Sequence, residues 1–485
     1  MTVEDAEPPA GLRGRAARDV GVQVVGRVMN LGLGLVVTVV IVRTLGVAGN
    51  GYWATLIAVQ AIVGTLGELG LEATAVRRAA AAPGETRSWL GTLLVLRIAL
   101  AVPAAVIALG LGLALADTAA MRVAAVLLAA VLVANAPMSL RAAFQLAMRN
   151  DRTIAVITFN SLIWTLAVIG VAVLDAGLVA FAAAMLVTTV ITTLVQTVWV
   201  VRSVGVAFDG LRRHGPDLLR VGVVVGVGAA LTFAYARIDQ LLVLHYNGER
   251  AAGLYGTAYL LLDRIQVIPG AVMATAFPVL SAAWPDRPQR TRDLTQQVFE
   301  VMALIGVPAL AFTIVASRPA LVLVFGDDFG PAAAVLPILM LAFVSTCFGY
   351  LLGFLSLVVD RQRTFLWISL AALALNLIAN AILLPRYGYV AAAWVTVATE
   401  AVVIVSAARV VLTELEMRLR LGRLPNAVAA AAVMGLAVAG CRQLGVGAAG
   451  LMLIAAAVYP VAVLACGAVS REDRARVLDR LRRSG

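Results

Sequence analysis

VGVQVVGRVMNLGLGLVVTVVIVRTLGVAGNGYWATLIAVQAIVGTLGELG, residues 20–70, holds two apolar runs joined by a short glycine-containing turn. The runs lie near 20–43 and 52–73, and their length is decisive. A helix rising 1.5 Å per residue needs about 20 apolar residues to cross about 30 Å of hydrocarbon. The same pattern continues near 88–115, 119–140, 153–174, 177–201, 218–244, 252–282, 294–316, 331–358, 365–384, 389–408, 426–441 and 447–469, giving fourteen predicted spans. Composition agrees, with 62% of 485 residues hydrophobic, 13% charged and a mean hydropathy of +0.96. A water-soluble domain carries about 25% charged residues. The sequence therefore predicts an all-α polytopic membrane protein.

Arginine sets the orientation. The chain has no lysine, and all 38 basic residues are arginine. With a cytoplasmic N-terminus, 28 arginines fall on the tails and the even-numbered turns, Arg77, Arg78, Arg141, Arg212, Arg292, Arg361 and Arg418 among them. Six (Arg43, Arg122, Arg250, Arg318, Arg386 and Arg442) fall on the other side, and Arg27, Arg97, Arg237 and Arg264 lie inside spans. The positive-inside bias then puts both termini in the cytoplasm, in a cytoplasmic (inner) membrane, with an even number of crossings. Trp53, Trp89, Trp199, Trp284 and Trp367 fall near predicted span ends, where an indole prefers the interface.

The net charge of +11 is thus a topology signal. No stripe of arginine interleaved with exposed aromatics supports nucleic-acid binding. Residues 1–19 read as a polar cytoplasmic tail without a signal-peptide pattern. Cys347, Cys441 and Cys466 fall in or beside spans and offer no disulfide framework, and His214 and His245 have no partner at metal-ligand spacing. No phosphate-binding loop is present, so transport would draw on an ion gradient, the membrane potential or consumption of the product. External loops are too short for the catalytic acids of a membrane glycosyltransferase or polymerase. The Asp327-Asp328 pair in FGDDFGP reads as a turn. The chain is expected not to be an enzyme and to need no cofactor.

Internal symmetry is visible. A shift of 211 residues superposes Arg152-Thr153 on Arg363-Thr364, Gly177 on Gly388, Ala180 on Ala391 and Thr188 on Thr399. Gly46 and Gly51-Tyr52 are echoed by Gly248 and Gly253-Leu254-Tyr255. Both echoes imply a six-span unit used twice, in parallel orientation. The expected organisation is a tail over 1–19, six-helix lobes over 20–206 and 216–412, helices 13 and 14 over 426–469, and a basic cytoplasmic tail over 470–485.

At these residues the chain resembles the polysaccharide flippases, the Wzx-type branch (O-antigen and teichoic-acid-like) of the MATE-like transporter superfamily. NLIANAILLPRYGYVAAAWVTVATE (Asn376 to Glu400), RTLGVAGNGYW (Arg43 to Trp53), ARIDQLLVLHYNGERAAGLYGTAYLL (Ala236 to Leu261) and VFGDDFGPAAAVLPIL (Val324 to Leu339) carry the likeness. The resemblance implies a V-shaped pair of lobes that flips a polyprenyl-pyrophosphate-linked oligosaccharide by alternating access. Its partners would be that lipid-linked oligosaccharide, membrane lipids, a coupling H⁺ or Na⁺, and a polysaccharide polymerase or glycosyltransferases. A lipid II flippase and a cation-coupled drug or metabolite exporter share the architecture and stay open as alternatives.

Charges inside hydrocarbon cost about 2.5–3.5 kcal/mol each on insertion scales, so those retained mark a cavity or a partner. Arg27, with Asn30 one turn on, and Arg97, Arg237 and Arg264 are the substrate-binding candidates, because a guanidinium fork matches phosphate oxygens. Topology labelling by snorkelling is the competing reading for Arg27 and Arg97. Asp239, Asp263 and Glu400 are the coupling candidates. A cross-helix pair between spans seven and eight is expected for the Arg237, Asp239, Asp263 and Arg264 group, and Asn376 or Asn380 is the expected neighbour of Glu400. Glu68 and Glu72 are expected to share a face near Arg77 and Arg78, and Pro269 to kink span eight.

Reporter fusions at Gly485 and in the loop near Asp327 test the topology. Cytoplasmic activity is expected at Gly485 and periplasmic or external activity near Asp327; equal cytoplasmic activity at both would overturn the assignment.

Overall fold

A computed structural model describes residues 10–469 apart from 69 and 148; the side chains of 10–28, 150, 224, 225, 228, 229 and 232 lie outside the description. Helices account for nearly everything described: α1 (Ala10–Glu68), α2 (Leu71–Ala81), α3 (Thr86–Ala114), α4 (Ala119–Ala134), α5 (Ala142–Leu146), α6 (Asn150–Val173), α7 (Gly177–Ser203), α8 (Leu211–Ile265), α9 (Val267–Ala283), α10 (Pro288–Phe325), α11 (Leu336–Val358), α12 (Gln362–Tyr387), α13 (Tyr389–Glu414), α14 (Leu424–Gln443) and α15 (Ala448–Ala465). α1 begins ten residues ahead of the predicted first span, in an Ala/Arg-rich stretch of good helix formers.

Twelve segments of the described residues are long and apolar enough to cross a membrane. Two of them, Met29–Ala81 with 53 residues and Phe233–Ala283 with 51, exceed two crossings' worth of chain. Each is divided into two crossings at a glycine with extended, positive-φ dihedrals, Gly46 (φ 65°, ψ −173°) and Gly248 (φ 80°, ψ 178°). Counted so, the spans number fourteen, and the all-α polytopic fold read from the sequence holds. These dihedrals lie in a region that essentially glycine alone occupies. The two glycines are the ones paired by the internal echo. The second echo behaves alike, since Gly177 and Gly388 have φ of 73° and 68°.

Burial is inverted relative to a soluble protein. Leu166, Val173, Leu436 and Leu453 are exposed, whereas Thr192, Gln196, Asp239 and Asn380 are buried. Lipid in place of water produces this arrangement, because apolar surface then needs no cover while polar groups need partners.

The chain divides into two compact units, Met1–Arg237 and Ile238–Gly485. In the first, α1 packs on α3 and α6, and α4 on α3 and α7. A cluster including Leu90, Leu93, Leu140, Phe144 and Val200 joins α3, α7 and the chain around α5. In the second, α11 packs on α10 and α13, α12 on α13, and α14 on α10 and α15. Ala316 of α10, Met434 and Val438 of α14 and Leu451 of α15 form the core beneath the terminal pair.

Prolines locate the weak points of these helices. A proline removes the hydrogen bond to the carbonyl four residues earlier and its ring crowds that carbonyl. Pro269 does this to Ile265, the last residue of α8, and α9 starts afresh at Val267. α10 contains Pro308 and Pro319, which deprive the Leu304 and Val315 carbonyls of their helical donors. Both are supplied by the terminal pair. The Tyr459 hydroxyl of α15 donates to Leu304 O at 2.7 Å, and the Arg442 guanidinium of α14 donates to Val315 O.

A double-mutant cycle checks this account. Tyr459→Phe should cost roughly 0.6–1.7 kcal/mol of stability in detergent, the range for hydrogen bonds inside membrane proteins. Combined with Pro308→Ala, whose restored N–H re-engages Leu304 O, the loss should shrink. Equal losses from Tyr459→Phe in both backgrounds would show that the carbonyl is not the partner that matters.

Candidate functional site

A polar cleft of about 430 Å³ opens in the first unit. Its walls follow from helical spacing. Ile57, Gln60, Ala61, Gly64, Thr65 and Glu68 form one face of α1, while Met185, Thr189, Thr192 and Thr193 form one face of α7. Asn160 enters from α6. Asn135 and Met138 enter where α4 ends and the chain tightens into a 3-10 segment, Ala136–Arg141. Gln196 holds that segment in place, its side-chain amide donating to Met138 O at 3.0 Å and Pro137 O at 3.3 Å. At Gly64 a side chain would sit 3.1 Å from Leu132, so glycine permits the approach of α1 to the end of α4.

Within the cleft, Thr192 Oγ donates to Asn160 Oδ1 at 2.9 Å, and Gln60 donates to Leu128 O at 3.4 Å. Thr193 is 5% exposed, and its hydroxyl has no partner among the described residues. Among the described residues, Glu68 is the one charged residue of the lining.

Glu68 also borders a second opening of about 310 Å³ with Glu72, Arg97, Arg141 and Gln145. Here the expected pairing changes. α1 stops at Glu68, Gly70 is left-handed (φ 60°), and α2 begins at Leu71. Glu68 and Glu72 therefore belong to different helices and do not share a face. Arg97, 6% exposed, donates to the Gly67 carbonyl at 2.6 Å and reaches Glu68 at 3.4 Å. Glu72 accepts from Arg141 at 2.8 and 3.0 Å and from Gln145 at 3.0 Å. Arg78 pairs with Asp217 at 2.7 Å. Arg97 thus caps the last turn of α1, whose terminal carbonyls have no helical donor.

The second unit has its own polar centre. Asp239, 2% exposed on α8, accepts hydrogen bonds from the Tyr255 hydroxyl, from the Gln240 amide at 2.8 Å and from the Thr396 hydroxyl of α13 at 3.4 Å. Gln240 in turn donates to Ala252 O at 3.1 Å across the Gly248 turn. Between spans seven and eight, Asp239 meets Tyr255. Asn380 donates to Asn376 at 2.9 Å, both buried on α12. Glu400 lies one turn beyond Thr396, its carboxylate beside Gly349 of α11, where an added Cβ would lie 3.8 Å away. Asp263 is within electrostatic reach of Tyr350 on α11.

The other sequence candidates are placed as follows. The Arg27 side chain lies outside the described residues. Asn30 donates to Thr158 of α6 at 3.2 Å. Arg237, partly buried, is the last residue of the first unit, and Arg264 is exposed on the last turn of α8. Tyr255, Thr396 and the threonine ladder of α7 are site residues beyond the charged candidates of the sequence. Tyr255 had a signal: it lies seven residues after Gly248 and Asp239 nine before, so a hairpin there sets them at similar depth. The repeated TT spacing in MLVTTVITTLVQTV was the signal for α7.

Residues 40–334 match the family described as polysaccharide biosynthesis protein. No curated protein sequence matches the chain. Among solved structures, the lipid II flippase MurJ in an inward closed conformation matches with a TM-score of 0.69 at 12% identity, over 90% of this chain and 97% of that one. An inward-facing multidrug resistance MATE family transporter of the MOP superfamily matches with a TM-score of 0.65 at 16% identity, over 80% and 96%. A MOP superfamily transporter from Pyrococcus furiosus matches at 0.52 and 16% identity, over 82% and 94%. At such identities the likeness establishes a shared fold.

The capping role of Arg97 is open to measurement. Arg97→Leu should lower stability by roughly 1–3 kcal/mol, because a buried carbonyl loses its donor. Glu68→Gln should change it by at most about 1 kcal/mol, since that ion pair is half exposed. A melting temperature unchanged in Arg97→Leu would remove the structural role.

Proposed function

The chain belongs to the polysaccharide biosynthesis protein family, and from that membership we propose that it is a flippase moving a polyprenyl-pyrophosphate-linked oligosaccharide across the cytoplasmic membrane by alternating access. The observation that carries the reading is the family match itself, which runs through both compact units on a fold shared with a lipid flippase and with MATE transporters. In this reading the prenyl chain stays in lipid, the pyrophosphate is held by guanidinium groups of Arg27, Arg237 and Arg264, and the sugars occupy polar surface shielded from hydrocarbon. Cargo arrives from cytoplasmic glycosyltransferases and leaves for a polymerase. The arginine bias supports cytoplasmic termini.

Asp239 is the coupling carboxylate of the proposal. A buried ionisable group inside a span is a functional site by default. Its ligand set of one carboxylate with tyrosine and threonine hydroxyls suits a proton or a small hard cation. Glu400 and Asp263, on or beside the same helices, are secondary candidates.

The test is transport in proteoliposomes of a fluorescent polyprenyl-pyrophosphate oligosaccharide under an imposed H⁺ or Na⁺ gradient. Gradient-stimulated flipping is expected. Asp239→Asn should keep the melting temperature and abolish the stimulation. Arg27→Ala and Arg237→Ala should slow flipping about tenfold or more, the equivalent of one lost charge-assisted hydrogen bond, with partial rescue by Lys. Export of a cationic dye without movement of the lipid would replace this reading with that of a drug exporter.

A further inference from the structure

The α7 ladder places hydroxyls where hydrocarbon-embedded helices ordinarily carry apolar side chains. Thr192 and Thr193 are 1% and 5% exposed, and both line the 430 Å³ cleft. The single Thr192 hydroxyl proton has two acceptors in reach, Asn160 Oδ1 and Thr188 O, at 2.9 Å each. The Thr193 hydroxyl is not satisfied by any described residue. A buried hydroxyl without a partner is unfavourable, and burial without compensation is rarely retained unless something else fills the vacancy. Gln60, Asn135 and Asn160 share the lining with Thr193, and their amides both donate and accept. The volume lies within the roughly 300–1,000 Å³ of small-molecule sites.

The charge of the lining is as informative as its hydrogen bonding. Among the described residues it contains no arginine and one carboxylate, Glu68. The nearby cation, Arg97, is engaged by the Gly67 carbonyl at 2.6 Å and by Glu68 itself at 3.4 Å. A saccharide hydroxyl finds partners in such a cleft. A uronate would meet the Glu68 carboxylate with no cation left to pair with, because Arg97 already serves Glu68 and the Gly67 carbonyl, and an unpaired charge in such surroundings is costly.

We propose that this cleft, with Thr193 and Asn160 at its centre, is the subsite that binds the glycan of the lipid-linked cargo, and that Glu68 restricts it to sugars without acidic groups. The assignment rests on the flippase reading above.

Three synthetic probes test it on the full-length protein in lipid nanodiscs: polyprenyl pyrophosphate alone, the same lipid bearing a neutral trisaccharide, and the same lipid bearing a trisaccharide that contains a uronic acid. The neutral glycolipid should bind about tenfold tighter than the bare lipid, as one or two well-placed hydrogen bonds provide, and the acidic one should show no such gain. Thr193→Val, which keeps the side-chain shape and removes the orphan hydroxyl, should melt no lower than wild type and bring the ratio of neutral to bare affinity close to one. Asn160→Leu should do the same, whereas Thr193→Ser should retain the wild-type ratio. Glu68→Gln should raise affinity for the acidic glycolipid. If Thr193→Val and Asn160→Leu keep the wild-type ratio, the subsite assignment falls while the flippase reading stands. An acidic probe that binds wild type as well as the neutral one overturns the role of Glu68. Failure of every probe to bind overturns the flippase reading, and this assignment with it.

Discussion

A backbone carbonyl in hydrocarbon has no water to turn to, and the fold is organised around the places where helices fail to supply a donor. Most of the chain meets this constraint by being helical. The exceptions are informative. Where α1 ends at Glu68, Arg97 reaches the Gly67 carbonyl. Where Pro308 and Pro319 interrupt α10, Tyr459 and Arg442 come in from α15 and α14. Where α4 tightens into its 3-10 segment, Gln196 takes two carbonyls at once. Long polar side chains do the work of missing N–H groups, and each such contact ties together elements that apolar packing alone would leave free to slide.

This division explains what could be read in advance. Spans were legible because hydropathy and length are properties of a local window, and Gly46 and Gly248 announced turns because few other residues tolerate their dihedrals. The repeat was legible for the same reason, with corresponding glycines holding corresponding turns. Partner choice was not. Glu72 meets Arg141 instead of Arg77 or Arg78, which stand five and six residues on along the same α2 and so off its face, while Arg141 comes from a segment distant in the chain that local spacing does not announce. The polar cleft was harder still, since threonine is nearly neutral on hydropathy scales and its five copies in α7 dissolve into an apolar average.

The two units handle polarity differently. The first concentrates neutral hydroxyls and amides in one cleft, bordered by a compensated set of charges at Glu68, Glu72, Arg97 and Arg141. The second buries a single carboxylate, Asp239, inside a small set of donors drawn from both sides of the Gly248 turn and from α13. The turns at Gly46 and Gly248 are alike and the chemistry of the two units is distinct. Tyr52 and Tyr255 are echoes of each other in sequence, yet Asp239 has given the second a ligand role.

The contacts between the terminal pair and α10 have a consequence for biogenesis. Chains assemble in the order of synthesis, so α10 enters the membrane with Leu304 and Val315 carbonyls lacking their helical donors long before Tyr459 and Arg442 exist. The seat is ready before its occupant. α14 and α15 are poorly equipped to find a register by themselves, being small-residue helices rich in alanine and glycine. Two vacant acceptors at fixed heights on α10 give them one, so the last hairpin is aligned by defects built into a helix made earlier.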